Sequence, residues 1–277
     1  MKNEIKTQSL KGMRAIVTGG GSGIGASICL ELALEGAIVG VVDRNEDSID
    51  EVVKKILKLG GSAVKICLDI GTEEACQQVI KTAVDRLGGL EILVNNAAPT
   101  RGDKTKARNI TESDWNIYQS VQLNAPAILA DAASKHLKVS GQGVIVNISS
   151  TISKDVTPLI SWPYHVSKAG LDHLTRWLAV RFGSEGIRVN AVAPGLVDRV
   201  EGPKLSDNLE HMALIKDVVP LQRPAQTKEI GQAVAFLCSE KSSYITGHVL
   251  VIDGGLSISE GFALAVKGLN LGKNNSL

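Results

Sequence analysis

A tyrosine and a lysine stand four residues apart in the stretch Tyr164-His165-Val166-Ser167-Lys168. Positions i and i+4 of a helix share a face, so a phenol and an ammonium at that spacing can meet at one substrate atom. A free phenol titrates near pH ~10 and is a poor base at neutrality. A neighbouring cation favours the phenolate, which makes the pair a plausible acid/base for an alcohol or a carbonyl. The same spacing also occurs where a half-buried ring lies beside a solvated charge. The two readings separate only if the chain supplies a cofactor site and a donor for the substrate oxygen.

A cofactor site is offered by Thr18-Gly19-Gly20-Gly21-Ser22-Gly23-Ile24-Gly25, where an apolar run at 15–17 gives way to a helical pattern over 24–34. Backbone without Cβ can approach a pyrophosphate, and a helix N-terminus presents free N–H groups and partial positive charge. A flexible turn is the alternative for a glycine cluster standing alone. The next apolar run, 37–42, weighs against it, because Asp43 follows and puts a carboxylate where an adenosine ribose would lie. Asp43 can accept from both ribose hydroxyls and would repel a 2′-phosphate, which favours NAD over NADP. The absence of a basic residue in 20–22 points the same way. Arg44 is a guanidinium that could serve a phosphate, or a solvated loop charge.

The elements that must position these residues alternate along the chain. Helical patterns over 47–59, 72–87, 113–139, 163–182 and 228–237 separate apolar runs at 63–68, 90–94, 144–148, 187–192 and 248–252. Thr72 is placed as an N-cap, Gly36 and Gly60-Gly61 as stops, and Pro163 at a first helical turn. Strands apolar on both faces and alternating with helices predict an α/β fold, a Rossmann-type doubly wound parallel sheet with helices on both faces. No Pro/Ser linker interrupts the chain, so residues 1–277 read as a single domain. Residues 195–227 carry only a weak helical pattern, over 209–218, and read as a substrate lid.

Composition excludes several classes. Lys+Arg at 30 against Asp+Glu at 29 leaves no basic stripe for nucleic acid or an anionic membrane. The four cysteines are scattered, without a CxxC pair, which fits packing thiols and gives neither a disulfide framework nor a metal site. No run approaches the roughly 20 apolar residues of a bilayer span, and residues 1–11 lack the apolar core of a signal segment. A soluble cytoplasmic protein acting on a small molecule is expected.

With these segments in order, the chain resembles the short-chain dehydrogenase/reductase family over nearly its whole length. The resemblance rests on Thr18 to Gly25, Asp69, Asn95-Asn96-Ala97-Ala98 and Val146-Asn147-Ile148-Ser149-Ser150. It continues through Tyr164 to Lys168, Asn190-Ala191-Val192-Ala193-Pro194-Gly195 and Asp253-Gly254-Gly255. It implies a seven-stranded parallel sheet, a nicotinamide cofactor and a homotetramer. It further implies that Ser150 holds the substrate oxygen, Tyr164 exchanges its proton, and Lys168 binds the nicotinamide ribose and lowers the tyrosine pKa. Gly19, Gly21, Ser22, Gly23, Ile24, Gly25, Asp43, Arg44, Asn96, Tyr164, Pro194 and Gly195 become cofactor residues. Asp69 and the backbone of Ile70 would meet the adenine, with Asn95 supporting the cavity. The interval from Ser150 to Tyr164 is one residue longer than the family's usual, so Ser150 over Ser149 is a preference.

Three positions depart from the pattern. Gln122 falls where the family has a catalytic asparagine whose amide holds a water linked to the lysine; it keeps the amide and adds a methylene. Ala98 replaces a glycine. Arg199 replaces a threonine that contacts the carboxamide, leaving the backbone of Leu196 and Val197 for that group. Arg101, Lys154, Trp162 and Arg199 are candidate substrate residues, and the three cations suggest a hydroxylated substrate bearing an anionic group. The tail, 256–277, is longer than usual and is read as packing, through Phe262 to Val266, on a neighbouring subunit or as covering its active site. The resulting reading is an NAD-dependent dehydrogenase of a secondary alcohol. Its rivals are an NADPH-dependent carbonyl or 3-oxoacyl reductase and a cofactor-binding scaffold that has lost catalysis.

Overall fold

Short β-branched runs and amphipathic helices alternate in the computed structural model, which describes residues 8–99, 110–198 and 204–259. In chain order they are β1 (Arg14–Thr18), α1 (Gly23–Leu34), β2 (Ile38–Asp43), α2 (Glu46–Lys58), β3 (Ser62–Cys67), α3 (Glu73–Leu87) and β4 (Ile92–Asn95). There follow α4 (Glu112–Gln119), α5 (Ala125–Ser140), β5 (Val144–Ile148), α6 (Trp162–Gly183), β6 (Arg188–Pro194), α7 (Leu209–Val218), α8 (Thr227–Cys238) and β7 (Val249–Ile252). The strands form one seven-stranded sheet in the order β3-β2-β1-β4-β5-β6-β7. Every neighbouring pair is parallel.

Successive strand side chains point to opposite faces, and both faces are covered. Ala15 and Val17 of β1 pack with Ile28 and Leu32 of α1, Ile49 and Ile56 of α2, and Ile230 and Val234 of α8. Ile16, between them, packs on the other face with Val79 of α3, Leu129 of α5 and Phe182 of α6. Strand order reverses between β1 and β4, which opens a crevice at their carboxyl ends, where open α/β sheets bind ligands.

Boundaries agree with the sequence reading to within two residues, and Thr72 caps α3 by accepting from the Ala75 N–H. The single helix expected over 113–139 is the exception. A π-turn over Ser120–Asn124 interrupts it between α4 and α5. Pro126 sits in the first turn of α5 and has no N–H to offer the Gln122 carbonyl four residues earlier. The Ala125 N–H bonds instead to the Ser120 carbonyl, five residues back. No helix among the described residues is long and apolar enough to cross a membrane. Arg101, Arg199 and the segment 262–266 lie outside the described residues.

Candidate active site

The crevice begins where β1 ends. Thr18 Oγ1 accepts from the N–H groups of Asn96 (3.0 Å) and Ala97 (3.2 Å), while Asn96 Nδ2 donates to the carbonyls of Thr18 and Gly19, both at 3.0 Å. The ends of β1 and β4 are thereby bolted together. Gly23 has φ 53°, and a Cβ there would meet nothing within 4 Å, so the turn lies open above it. A Cβ on Gly25 would instead overlap the Gly19 carbonyl oxygen. Ser22, the residue before α1, is extended and makes no side-chain cap, so the first N–H groups of α1 are left to a ligand. This cradle fits a pyrophosphate.

Asp43, at the end of β2, turns one carboxylate oxygen back to the Gly21 N–H (3.1 Å) and the other to the Asn45 N–H (3.2 Å). It lines a groove of about 580 Å³ with Gly19, Ser22, Ile24, Arg44, Asp69, Ile70 and Asn96. Asp69 Oδ1 accepts from the Ile70 (2.7 Å) and Gly71 (3.2 Å) N–H groups, so the Ile70 amide expected to face adenine closes its own turn. Three cysteines are buried and Cys67 is exposed, all as free thiols; burial pushes Cys76 up to about 11 and Cys238 up to about 12.

At the other end of the crevice, α6 carries Tyr164 and Lys168, both buried. Lys168 Nζ donates to the Ile148 carbonyl (2.7 Å) and lies 5.7 Å from the centroid of the Tyr164 ring. Ser149 and Ser150 follow β5 and are buried. Ser150 Oγ accepts a long bond from the Ile152 N–H (3.4 Å), starting a 3-10 turn, and its own proton remains available. Ser149 Oγ has no hydrogen-bond partner among the described residues. The ring of Tyr118, on α4, meets Tyr164 edge-on at 6.2 Å.

The π-turn faces Gln122 inward. The Ser167 hydroxyl lies 2.7 Å from Gln122 Oε1 and 3.1 Å from the Tyr164 carbonyl, and its one proton serves one of them at a time. Gln122 Nε2 is buried without a partner among the described residues. Beneath, Asn95 Nδ2 donates to Asn147 Oδ1, and Asn147 Nδ2 donates to Thr175 Oγ1, both at 2.9 Å. That buried chain joins β4, β5 and α6. Sequence reasoning missed Ser167, and the available signal was its place beside Lys168. Pro126, four residues after Gln122, was the signal for the π-turn.

Ser150, Tyr164, Lys168 and Gln122 thus come from three neighbouring elements, while the glycine turn, Asp43, Arg44, Asp69, Ile70 and Asn96 converge on the groove. Pro194, Gly195 and Val197 follow at the carboxyl end of β6; Gly195 N–H bonds to the Ile252 carbonyl, and Val197 bridges Ala225. They are not part of the groove wall described above. Of the substrate candidates, Lys154 is exposed and Trp162 is half exposed and stacked on Trp115, 5.1 Å between centroids. Within the expected lid, α7 forms, and beyond it Arg223 pairs with Glu229, whose carboxyl is held at about 2 by that guanidinium and the Gln226 N–H.

A doubly wound sheet with a phosphate cradle at β1 and a buried tyrosine–lysine pair beside β5 defines a dinucleotide-dependent oxidoreductase. The family model described as Enoyl-(Acyl carrier protein) reductase matches residues 19–257. The chain is 35% identical to the 4-formylbenzenesulfonate dehydrogenase TsaC1/TsaC2 of Comamonas testosteroni, over 88% of this chain and 97% of that protein. It is 34% identical to the 3-oxoacyl-[acyl-carrier-protein] reductase FabG of Thermotoga maritima, over 90% and 99%. A gluconate 5-dehydrogenase from Burkholderia cenocepacia J2315, solved in complex with NADP and tartrate, matches with TM-score 0.82 and 30% identity, covering 92% of this chain and 98% of that one. The chain belongs to the short-chain dehydrogenase/reductase family. Members of this family bind a nicotinamide cofactor.

Proposed function

We propose that the protein is an NAD-dependent dehydrogenase that oxidises a secondary alcohol of a small or medium hydroxylated substrate to the ketone. The observation that carries the cofactor choice is Asp43, whose carboxylate is anchored over the glycine turn on the Gly21 N–H. A 2′-phosphate brought there would meet a fixed negative charge, whereas ribose hydroxyls would meet an acceptor. The reductase reading with NADPH remains the rival, since relatives named for either direction are equally similar.

The residues divide the work by position. A nicotinamide held in the crevice would supply the acceptor for the hydride leaving the substrate carbon. Ser150 donates to the substrate oxygen and holds it beside Tyr164, and the Tyr164 phenolate takes the hydroxyl proton. Lys168, a buried ammonium on the same helix face, favours that phenolate and would hold the nicotinamide ribose. Gln122 keeps an amide donor at the inner end of the site, where a water would meet it. Intact Ser150, Tyr164 and Lys168 argue against a scaffold without catalysis. An anionic group on the substrate stays part of the proposal, favoured by the sulfonate named for one relative and by exposed Lys154.

The test is to mix the protein with NAD or NADP and a panel of secondary alcohols, anionic and neutral, and follow reduced-nicotinamide absorbance. Oxidation should run with NAD. Asp43→Ser should lower kcat/KM for NAD by roughly 10- to 100-fold, the range for losing hydrogen bonds to a charged group, and raise that for NADP. An unchanged NAD/NADP ratio would remove the cofactor assignment.

A homotetramer is proposed as the working form, in the cytoplasm. On the outer face of α6, Val166, Trp177 and Val180 are exposed apolar side chains on one stripe, which a second copy would cover. Light scattering should give four times the 29.3 kDa chain mass, and Trp177→Glu should lower it. A monomer in both would end that proposal.

A further inference from the structure

We propose that His165 is a positioning residue: its ring staples the segment between Ser150 and Tyr164 to the first turn of α6, and so sets one wall of the substrate site. The consequence for substrate rests on the dehydrogenase reading above, but the staple itself does not.

The segment needs such a device because little packing holds it. No residue from 154 to 161 is buried; of its three large aliphatic side chains, Val156 and Leu159 are 89% and 81% exposed and Ile160 is partly buried. Its shape must come from hydrogen bonds. The 3-10 turn accounts for its start, where the N–H groups of Lys154 and Asp155 reach the Thr151 carbonyl. The Leu159 N–H closes a local turn on Thr157 Oγ1 around Pro158. Among the described residues, the hydrogen bonds that tie Val156 to Ser161 to anything outside the segment all end on α6. The Thr157 N–H donates to His165 Nε2 (3.2 Å), His165 Nδ1 meets the Ser161 carbonyl (3.1 Å), and the Tyr164 N–H meets the same carbonyl (3.2 Å).

Both ring partners are backbone groups with fixed roles. An amide N–H can only donate and a carbonyl can only accept, so Nε2 must present its lone pair and Nδ1 must carry the proton. The ring is therefore a neutral imidazole in one tautomer, joining two points of the loop four residues apart. It is also the next residue after Tyr164. Since the segment runs between the two residues assigned to the substrate oxygen, a displaced loop alters how the alcohol is seated before any proton moves.

Three variants separate the two bonds. His165→Gln can place an amide oxygen near the Nε2 position and keep Thr157. His165→Asn can place an amide nitrogen near the Nδ1 position and keep Ser161 alone, and His165→Ala keeps neither. The first readout is hydrogen exchange of the cofactor-free protein, resolved at residues 156–159, where Pro158 contributes no amide. Thr157 should be protected in the parent and in His165→Gln, and exchange faster in His165→Asn and His165→Ala. The second is steady-state kinetics: His165→Ala should raise KM for the alcohol roughly tenfold, as expected for two lost hydrogen bonds, with kcat and the KM for NAD within about twofold, and His165→Gln should recover most of it. Equal exchange at Thr157 in the parent and His165→Ala would overturn the staple. Altered exchange with an unchanged alcohol KM would overturn its role in positioning. If the parent oxidises no alcohol, the functional reading fails, while the exchange result still decides the staple.

Discussion

Replacing Tyr164 by phenylalanine is expected to lower kcat for alcohol oxidation by about 10²- to 10⁴-fold, the range for removing a general acid/base. The substitution deletes one hydroxyl and leaves the ring, which is buried and met edge-on by Tyr118. Lys168 keeps its hold on the Ile148 carbonyl, so the neighbouring cation has no reason to move. The dinucleotide cradle lies across the sheet at β1 and is untouched. Fluorescence titration with reduced dinucleotide should therefore give a Kd close to the parental one. Turnover at the parental rate in a folded, NAD-saturated Tyr164→Phe protein would show that the proton leaves by another route.

Gly25→Ala is expected to weaken dinucleotide binding through backbone alone. The added methyl would overlap the Gly19 carbonyl and crowd Asn96 Nδ2, the group that bolts the turn to β4. Neither neighbour is the free end of a flexible side chain, so the turn itself must shift. Overpacking of this kind costs about 1–3 kcal/mol, which corresponds to roughly 5- to 150-fold in an equilibrium that depends on the turn. Dinucleotide Kd should rise by that order, with a lower Tm. Gly71→Ala is the control. A Cβ at Gly71 would find its nearest neighbour at 3.8 Å, in ordinary contact, and both readouts should stay near parental values. If Gly25→Ala binds dinucleotide as the parent does, the cradle has been misplaced.

What could be read from the sequence is what depends on local chemistry. The glycine turn and Asp43 were legible because a strand end, a missing Cβ and a carboxylate state their use without knowledge of the rest of the chain. The sheet was legible from apolar runs alternating with helical periods. The π-turn was not, because the apolar pattern runs through it on either side and only Pro126 betrays it. Lys154 and Trp162 were chosen by residue type, since a loop's path is set by contacts distant in sequence. His165 passed as a spacer between Tyr164 and Lys168. Its partner, the Thr157 amide, is brought to it only by the folding back of a loop that has no periodicity to read.

The strand order carries a consequence for how the chain assembles. β2 joins one side of β1, and β3 extends that side; β4 joins the other side of β1, and β5, β6 and β7 each add to the strand made just before. No strand ever has to be threaded between two that are already paired. A nascent chain leaving the ribosome could lay the sheet down from its outer rims alone, each crossover docking as it emerges. By Asn95, the last residue of β4, the half-sheet that frames the phosphate cradle could already be complete, before the Tyr164 helix has been translated.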